Sequence, residues 1–150
     1  MESDSNALSK TNVVIKTVHG DIIFKFYPQK APNTVKRISE LIKQKFYDGL
    51  IFHRVVPGFV IQGGDPEGTG RGGSGKNLKA EFSDIKHVQG TVAMARASDP
   101  DSADSQFYIA LGTIPHLDNQ YTVFGQVTTG LELLGKISQG DAIVYLTLVD

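Results

Sequence analysis

The sequence predicts a mainly β fold, a closed eight-stranded antiparallel β-barrel capped by two α-helices, and three observations lead there. Eight short runs rich in β-branched and aromatic residues are spread along the 150 residues, most of them of ordinary strand length. Two stretches read as helices. A chain of this size holds one domain, and closing its sheet removes exposed edges while two helices cover the barrel's mouths.

In chain order, residues 13–15 and 22–26 flank His19-Gly20-Asp21, a hairpin signal of β-rich runs around a glycine turn. Residues 32–46 read as a helix. Val35, Ile38, Leu41, Ile42 and Phe46 make one apolar stripe, and Pro32 suits the first turn, where its missing N–H is not needed. Asp48-Gly49 ends it. Strands at 50–56 and 59–62 are separated by the Pro57-Gly58 turn. Residues 63–75 hold seven glycines and read as a long surface loop with several positive-φ positions. Beyond it Leu78, Phe82 and Ile85 keep helical spacing without a well-placed cap, so that segment stays ambiguous. Strands at 91–95 and 106–111 bracket a polar loop, 98–105, in which Ser and Asp alternate. A strand at 121–127 follows, then a short helix at 131–137 opened by Thr129-Gly130 and stopped by Ser138-Gln139-Gly140-Asp141, and a last strand at 143–149. Residues 12–150 form the single domain, and the polar stretch 1–11 reads as a tail.

Composition narrows the function. Apolar residues make up 40% and charged residues 21%, a globular mixture. The charge balance is 15 basic against 16 acidic with no long basic run, which speaks against nucleic-acid and membrane-surface binding. There is no cysteine, so disulfides, thiolate catalysis and cysteine metal sites are excluded. No apolar run approaches the ~18 residues of a membrane span, and residues 1–11 lack an apolar signal core; a cytoplasmic protein is expected.

Several patterns imitate active sites. Gly68-Thr69-Gly70-Arg71-Gly72-Gly73 fits G-x-G-x-x-G, and Gly70 to Lys76 fits the start of a phosphate-binding loop. Asn77, however, stands where Ser or Thr would hold magnesium, and no βαβ alternation follows. The Asp99-Pro100-Asp101-Ser102-Ala103-Asp104 run lacks the spacing, glycine and closing glutamate of a calcium loop, and turn chemistry accounts for it. His19, His53, His87 and His116 form no metal pattern, and there is no nucleophile elbow. His19 reads as a solvated turn residue and His53 as a hydrogen-bonded structural one. The most informative run is Phe52-His53-Arg54-Val55-Val56-Pro57-Gly58-Phe59-Val60-Ile61-Gln62-Gly63-Gly64-Asp65. Strict alternation would put Phe52, Arg54 and Val56 on one face. From the strand alone, Arg54 reads as a salt-bridged or snorkelling arginine. After the turn, Phe59, Val60 and Gln62 return close to it.

This run resembles the central signature of the cyclophilins, the peptidyl-prolyl cis-trans isomerases. Gly68-Thr69-Gly70, Gly90-Thr91-Val92-Ala93-Met94-Ala95, Ser105-Gln106-Phe107-Tyr108-Ile109 and Val123-Phe124-Gly125 are similar to further family motifs and stand in the family's order. The resemblance covers about residues 13–149 and implies a cyclophilin-like barrel with the active groove on its outer face. It implies that Arg54 is the catalytic arginine and Gln62 its hydrogen-bonding partner. Phe59, Val60, Tyr108 and Leu117 would line a proline pocket, Gln106 would contact the peptide, and Ala95, Arg96 and Ala97 would run beside its backbone.

Val60 and Tyr108 stand where methionine and phenylalanine are common, and Arg96 replaces a frequent asparagine. Tyr121 resembles bacterial members. His116 stands where drug-sensitive members carry tryptophan, which implies weak cyclosporin binding at most. The family's chemistry implies X–Pro segments of peptides and of unfolded or flexible proteins as substrates, no cofactor or metal, and a monomer. The alternative is a non-catalytic proline-peptide or chaperone module on the same scaffold.

Overall fold

The structure, a computed structural model, describes residues 8–150. Eight strands form one curled antiparallel sheet: β1 (Asn12–Thr17), β2 (Gly20–Phe26), β3 (Arg54–Val56), β4 (Val60–Gly63), β5 (Thr91–Met94), β6 (Phe107–Ala110), β7 (Val123–Thr129) and β8 (Ile143–Val149). Their order across the sheet is β3-β4-β6-β5-β7-β2-β1-β8. Among the described residues two complete α-helices accompany it, α1 (Pro32–Lys43) and α2 (Leu131–Leu134). The ladder is open between β3 and β8. Across that seam there is one isolated bridge, Ile51 to Ala142, just outside both strands. Of the expected tail, residues 1–7 lie outside the described residues, while Leu8 packs on the core and Thr11 is buried.

Four local departures from the sequence reading have physical causes. The strand expected at 50–56 is regular only over Arg54–Val56, which breaks the expected alternation. Phe52 therefore lies in the core, on the opposite side from exposed Arg54. Helix α1 stops at Lys43, short of Phe46. Lys45 adopts φ 60°, its N–H donates to the Ile42 carbonyl, and the Phe46 N–H donates to Leu41. These are the two bonds of a Schellman ending, here made without the usual glycine. Helix α2 is a single turn ending at Leu134. Residues 78–85 are not helical: Leu78 instead bridges Ala103.

The start of α1 has no local side-chain cap. Glu81, distant in sequence, supplies one: its carboxylate accepts the main-chain N–H groups of Asn33 and Thr34 at 3.2 and 2.8 Å. An anion there satisfies orphan donors and complements the helix dipole.

The sheet is apolar on both faces at β4, β5 and β6. Inward, Ile61, Val92, Met94, Phe107 and Ile109 join Phe24, Phe124 and the buried stripe of α1 in the main core. Outward, Val60, Ala93, Tyr108 and Ala110 form a second cluster with Ile114 and Val123. Burial on both faces explains why these strands read as continuous apolar runs without alternation.

Candidate active site

Register builds the site on the outer face. Arg54 on β3 is opposite Gln62 on β4, Gln62 is opposite Tyr108 on β6, and Tyr108 is opposite Ala93 on β5. Directly opposed residues share a face of the sheet, so these four form one row across four strands. Phe59 enters from the turn before β4, and Val60 is the first residue of that strand. Leu117 comes from the short 3-10 turn Pro115–Leu117, and Tyr121 from the approach to β7. Arg54, Phe59, Val60, Gln62, Ala95, Arg96, Tyr108, Leu117 and Tyr121 together line a cavity of about 300 Å³. A neighbouring cavity of about 400 Å³ shares Gln62, Ala95 and Arg96 and adds Ala97 and Gln106. His116 lines neither, but its ring stacks on Phe59 at 6.0 Å with the planes 9° apart. All twelve expected site residues thus meet on one surface.

The polar groups there have defined directions. Gln106 Nε2 donates to the Gly72 carbonyl at 2.9 Å, so its oxygen faces Gln62, whose Nε2 donates to it at 2.9 Å. A main-chain carbonyl can only accept, which fixes both amide orientations. The Gln62 oxygen takes no part in this chain of amides. Arg54 is exposed, makes no ion pair among the described residues, and sits over the Phe59 ring at 5.9 Å. That overturns the salt-bridged reading of this arginine. Arg96 lies 4.6 Å from the Tyr121 ring centre and donates to the carbonyls of Gln120, Ala97 and Ser98. It pins together the two loops that wall the cavity. Burial pushes the Tyr108 phenol well above the usual tyrosine range, so it keeps its proton.

Two histidines differ from their sequence readings. Neither ring nitrogen of His53 has a hydrogen-bond partner, although both are shielded from solvent. Burial pushes its pKa down, against the pull of Asp65 and Gln106. His19 is paired, its Nε2 2.9 Å from Asp141 Oδ2, which ties the β1–β2 turn to the residues before β8.

The glycine-rich loop is already filled by the protein's own anions. Asp65, buried, accepts the N–H groups of Glu67, Thr69 and Gly70. Asp104 accepts those of Ser74, Gly75 and Lys76. The donors that a phosphate would need are taken by two carboxylates. The loop also requires glycine for space: a Cβ on Gly72 would fall 2.0 Å from Asp65 Oδ1, and one on Gly73 2.5 Å from Asp104 Oδ2. Burial opposes the Asp65 charge, but the backbone donors outweigh it and hold its pKa below the usual range. In the Asp-rich loop, Asp99 and Asp101 accept main-chain N–H groups from Asp101 and Ala80, as turn chemistry requires.

Sequence reasoning missed His87, Asp118, Asp65 and Asp104 as organisers of this surface. Asp65 was within reach, because a carboxylate beside a run of glycines has N–H donors to collect; Asp104 lies 28 to 30 residues from the donors it takes. The His87 partners, 21 and 31 residues away, leave no local signal.

The chain is similar to known proteins over most of its length. A family model described as cyclophilin type peptidyl-prolyl cis-trans isomerase/CLD matches residues 12–145. The chain is 44% identical over 147 residues to a peptidyl-prolyl cis-trans isomerase of Helicobacter pylori, covering 95% of this chain and 90% of that one. It is 45% identical over 136 residues to peptidyl-prolyl cis-trans isomerase B of Bacillus subtilis, covering 89% and 94%. A crystal structure of a Cryptosporidium parvum cyclophilin type peptidyl-prolyl cis-trans isomerase is similar with a TM-score of 0.87 and 30% identity, over 93% of this chain and 98% of that one. The same protein crystallised in the presence of the dipeptide Ala-Pro gives a TM-score of 0.86 at 31% identity, over 93% and 99% of the two chains. With its outer-face row of Arg54, Gln62 and Tyr108 and a family match over nearly its whole length, the chain belongs to the cyclophilin-type peptidyl-prolyl cis-trans isomerase family.

Proposed function

We propose that the protein accelerates cis-trans rotation about X–Pro bonds in peptides and in unfolded or flexible proteins. The observation that carries this reading is a guanidinium without an ion pair among the described residues, at the edge of a cavity of about 300 Å³ that Phe59, Val60, Tyr108 and Leu117 also line. Amide resonance sets a barrier of ~18–20 kcal/mol to this rotation. No bond is broken, so the task is to favour the twisted amide over the planar one. In the twisted state the proline nitrogen regains its lone pair and accepts a hydrogen bond. Arg54 supplies that donor, and the Gln62 oxygen beside it orients the guanidinium. Phe59, Val60, Tyr108 and Leu117 grip the proline ring. Gln106 and the backbone of Ala95, Arg96 and Ala97 hold the flanking peptide while the N-terminal side turns.

His116 offers neither the area nor the N–H of an indole at the cavity's rim, which supports weak cyclosporin binding. We take residues 12–150 as the working domain, acting as a monomer in the cytoplasm. Among the described residues no helix is long and apolar enough to cross a membrane. Functional closure of the curled sheet is supported by hydrogen bonds on both sides of the Ile51–Ala142 bridge, including Phe52 N–H to Asp141 and Ile143 N–H to Leu50.

An exchange assay on an Ala-Pro-containing tetrapeptide tests the reading. Acceleration over the uncatalysed rate, unchanged by a chelator, is expected. Peptide binding without acceleration would leave only a proline-binding module.

A further inference from the structure

The floor of the cavity carries a phenol whose hydroxyl is used elsewhere. Tyr108 Oη lies 2.7 Å from Nε2 of His87, which has no exposed surface and lines neither cavity. The two rings are near-parallel, 14° apart. The other ring nitrogen, Nδ1, is 3.0 Å from Asp118 Oδ1, which also accepts the His87 main-chain N–H at 2.7 Å. That main-chain bond is the chief reason the Asp118 pKa lies below the usual carboxylate range, so the group is an acceptor only. Nδ1 must then carry the proton, and burial keeps the ring neutral by pushing the His87 pKa down. Nε2 is bare, and Tyr108 must be the donor. The His87 carbonyl also accepts the Ile114 N–H at 3.1 Å. One buried residue thereby joins the cavity's floor on β6 to the 114–118 segment that carries its Leu117 wall.

We infer that His87 is a positioning residue for this site: it draws the Tyr108 hydroxyl out of the cavity, so that only ring carbon faces the substrate's proline. The inference rests on the proline-pocket reading above. Without an acceptor the hydroxyl is a buried donor with no partner, and the cavity that Tyr108 lines is open to solvent. The ring would tip towards that solvent and occupy proline's space.

A double-mutant cycle tests this, with kcat, KM and melting read on the unaltered protein, His87→Leu, Tyr108→Phe and the double variant, using the Ala-Pro tetrapeptide. His87→Leu should raise KM about five- to tenfold with little change in kcat, the pattern of lost ground-state and transition-state binding alike. Whatever KM Tyr108→Phe shows by itself, adding it to His87→Leu should restore KM to that value even if the melting temperature stays low. A KM that does not rise in His87→Leu, or is not restored in the double variant, overturns the inference. If the leucine variant does not fold, 15N NMR of the unaltered protein decides. The His87 proton must be on Nδ1, and the Nε2 signal must move in Tyr108→Phe; a proton on Nε2, or an unmoved signal, overturns it. Peptide Kd from an NMR titration replaces KM if no turnover is seen. Lost catalysis with coupled binding then refutes only the isomerase reading, whereas an uncoupled cycle refutes the role of His87.

Discussion

Inward from β4, β5 and β6, Ile61, Met94, Phe107 and Ile109 are packed into the main hydrophobic core. Outward, Val60, Ala93, Tyr108 and Ala110 are as deeply buried, yet their layer is left incomplete and edged by Arg54, Gln62 and Arg96. The inner layer is closed on all sides, so its chemistry ends with packing. The outer layer keeps a hollow beside a guanidinium that has no ion pair among the described residues. Hydrophobicity alone does not distinguish the two faces; the polar groups at the edge, and what they are bonded to, do.

Substitutions should separate the faces cleanly. Phe124 is fully buried and packs edge-on to Phe24 at 6.0 Å. Phe124→Ala should destabilise the fold by about 3–5 kcal/mol, with exchange activity per folded molecule kept. Denaturant melts paired with the peptide assay check this, and a specific loss of activity in fully folded sample would erase the distinction. Arg54→Ala should do the opposite: melting unchanged, and activity lowered by about 10² to 10³, the effect of removing one donor aimed at a transition state. The loss should fall on kcat, because planar peptide offers that donor no lone pair. An Arg54→Ala protein that melts early yet isomerises normally would make the arginine scaffold.

The glycine loop sharpens the comparison, since it borders the groove yet is held by buried charge. Asp65→Asn should cost about 1–3 kcal/mol, by replacing a carboxylate that takes several N–H donors with an amide that takes fewer. The folded-state pKa of Asp65 lies below its unfolded value. Its stabilisation is therefore present above the unfolded pKa, about 4, and is lost as pH falls through the folded one. Melting between about pH 5 and pH 2 should fall less steeply for Asp65→Asn than for the unaltered protein. An equal slope would mean the cage contributes nothing. The smallest effect is at the rim: His116→Trp should tighten cyclosporin inhibition on the order of tenfold, about 1.4 kcal/mol. No tightening would show that His116 is not what weakens it.

Much of this was legible in the amino-acid order. The strands, the α1 stripe and the Phe52–Asp65 run depend on neighbours within a few residues, because side-chain period and turn chemistry are local. The twelve site residues, spread from Arg54 to Tyr121, were named through the resemblance to the cyclophilins, since no local period groups them. What depended on distant partners could not be read. The end of α1 rests on Lys45 taking a glycine's conformation, and its start on Glu81. The arginine's freedom from an ion pair is a property of everything that folds around it.

By itself, then, the sequence determined which segments become strands and helices, that Arg54, Gln62 and an apolar set lie close in chain order, and that cysteine chemistry is absent. Only the tertiary structure decided that the sheet curls without a continuous ladder from β3 to β8 and that Phe52 turns inward while Arg54 turns out. It also decided that the phosphate-like glycine loop is occupied by Asp65 and Asp104, and that Tyr108 is held by His87. The physical reason is range. Backbone conformation and side-chain alternation are set over a few residues, whereas a buried donor or carboxylate finds its partner wherever the folded chain brings one within about 3 Å.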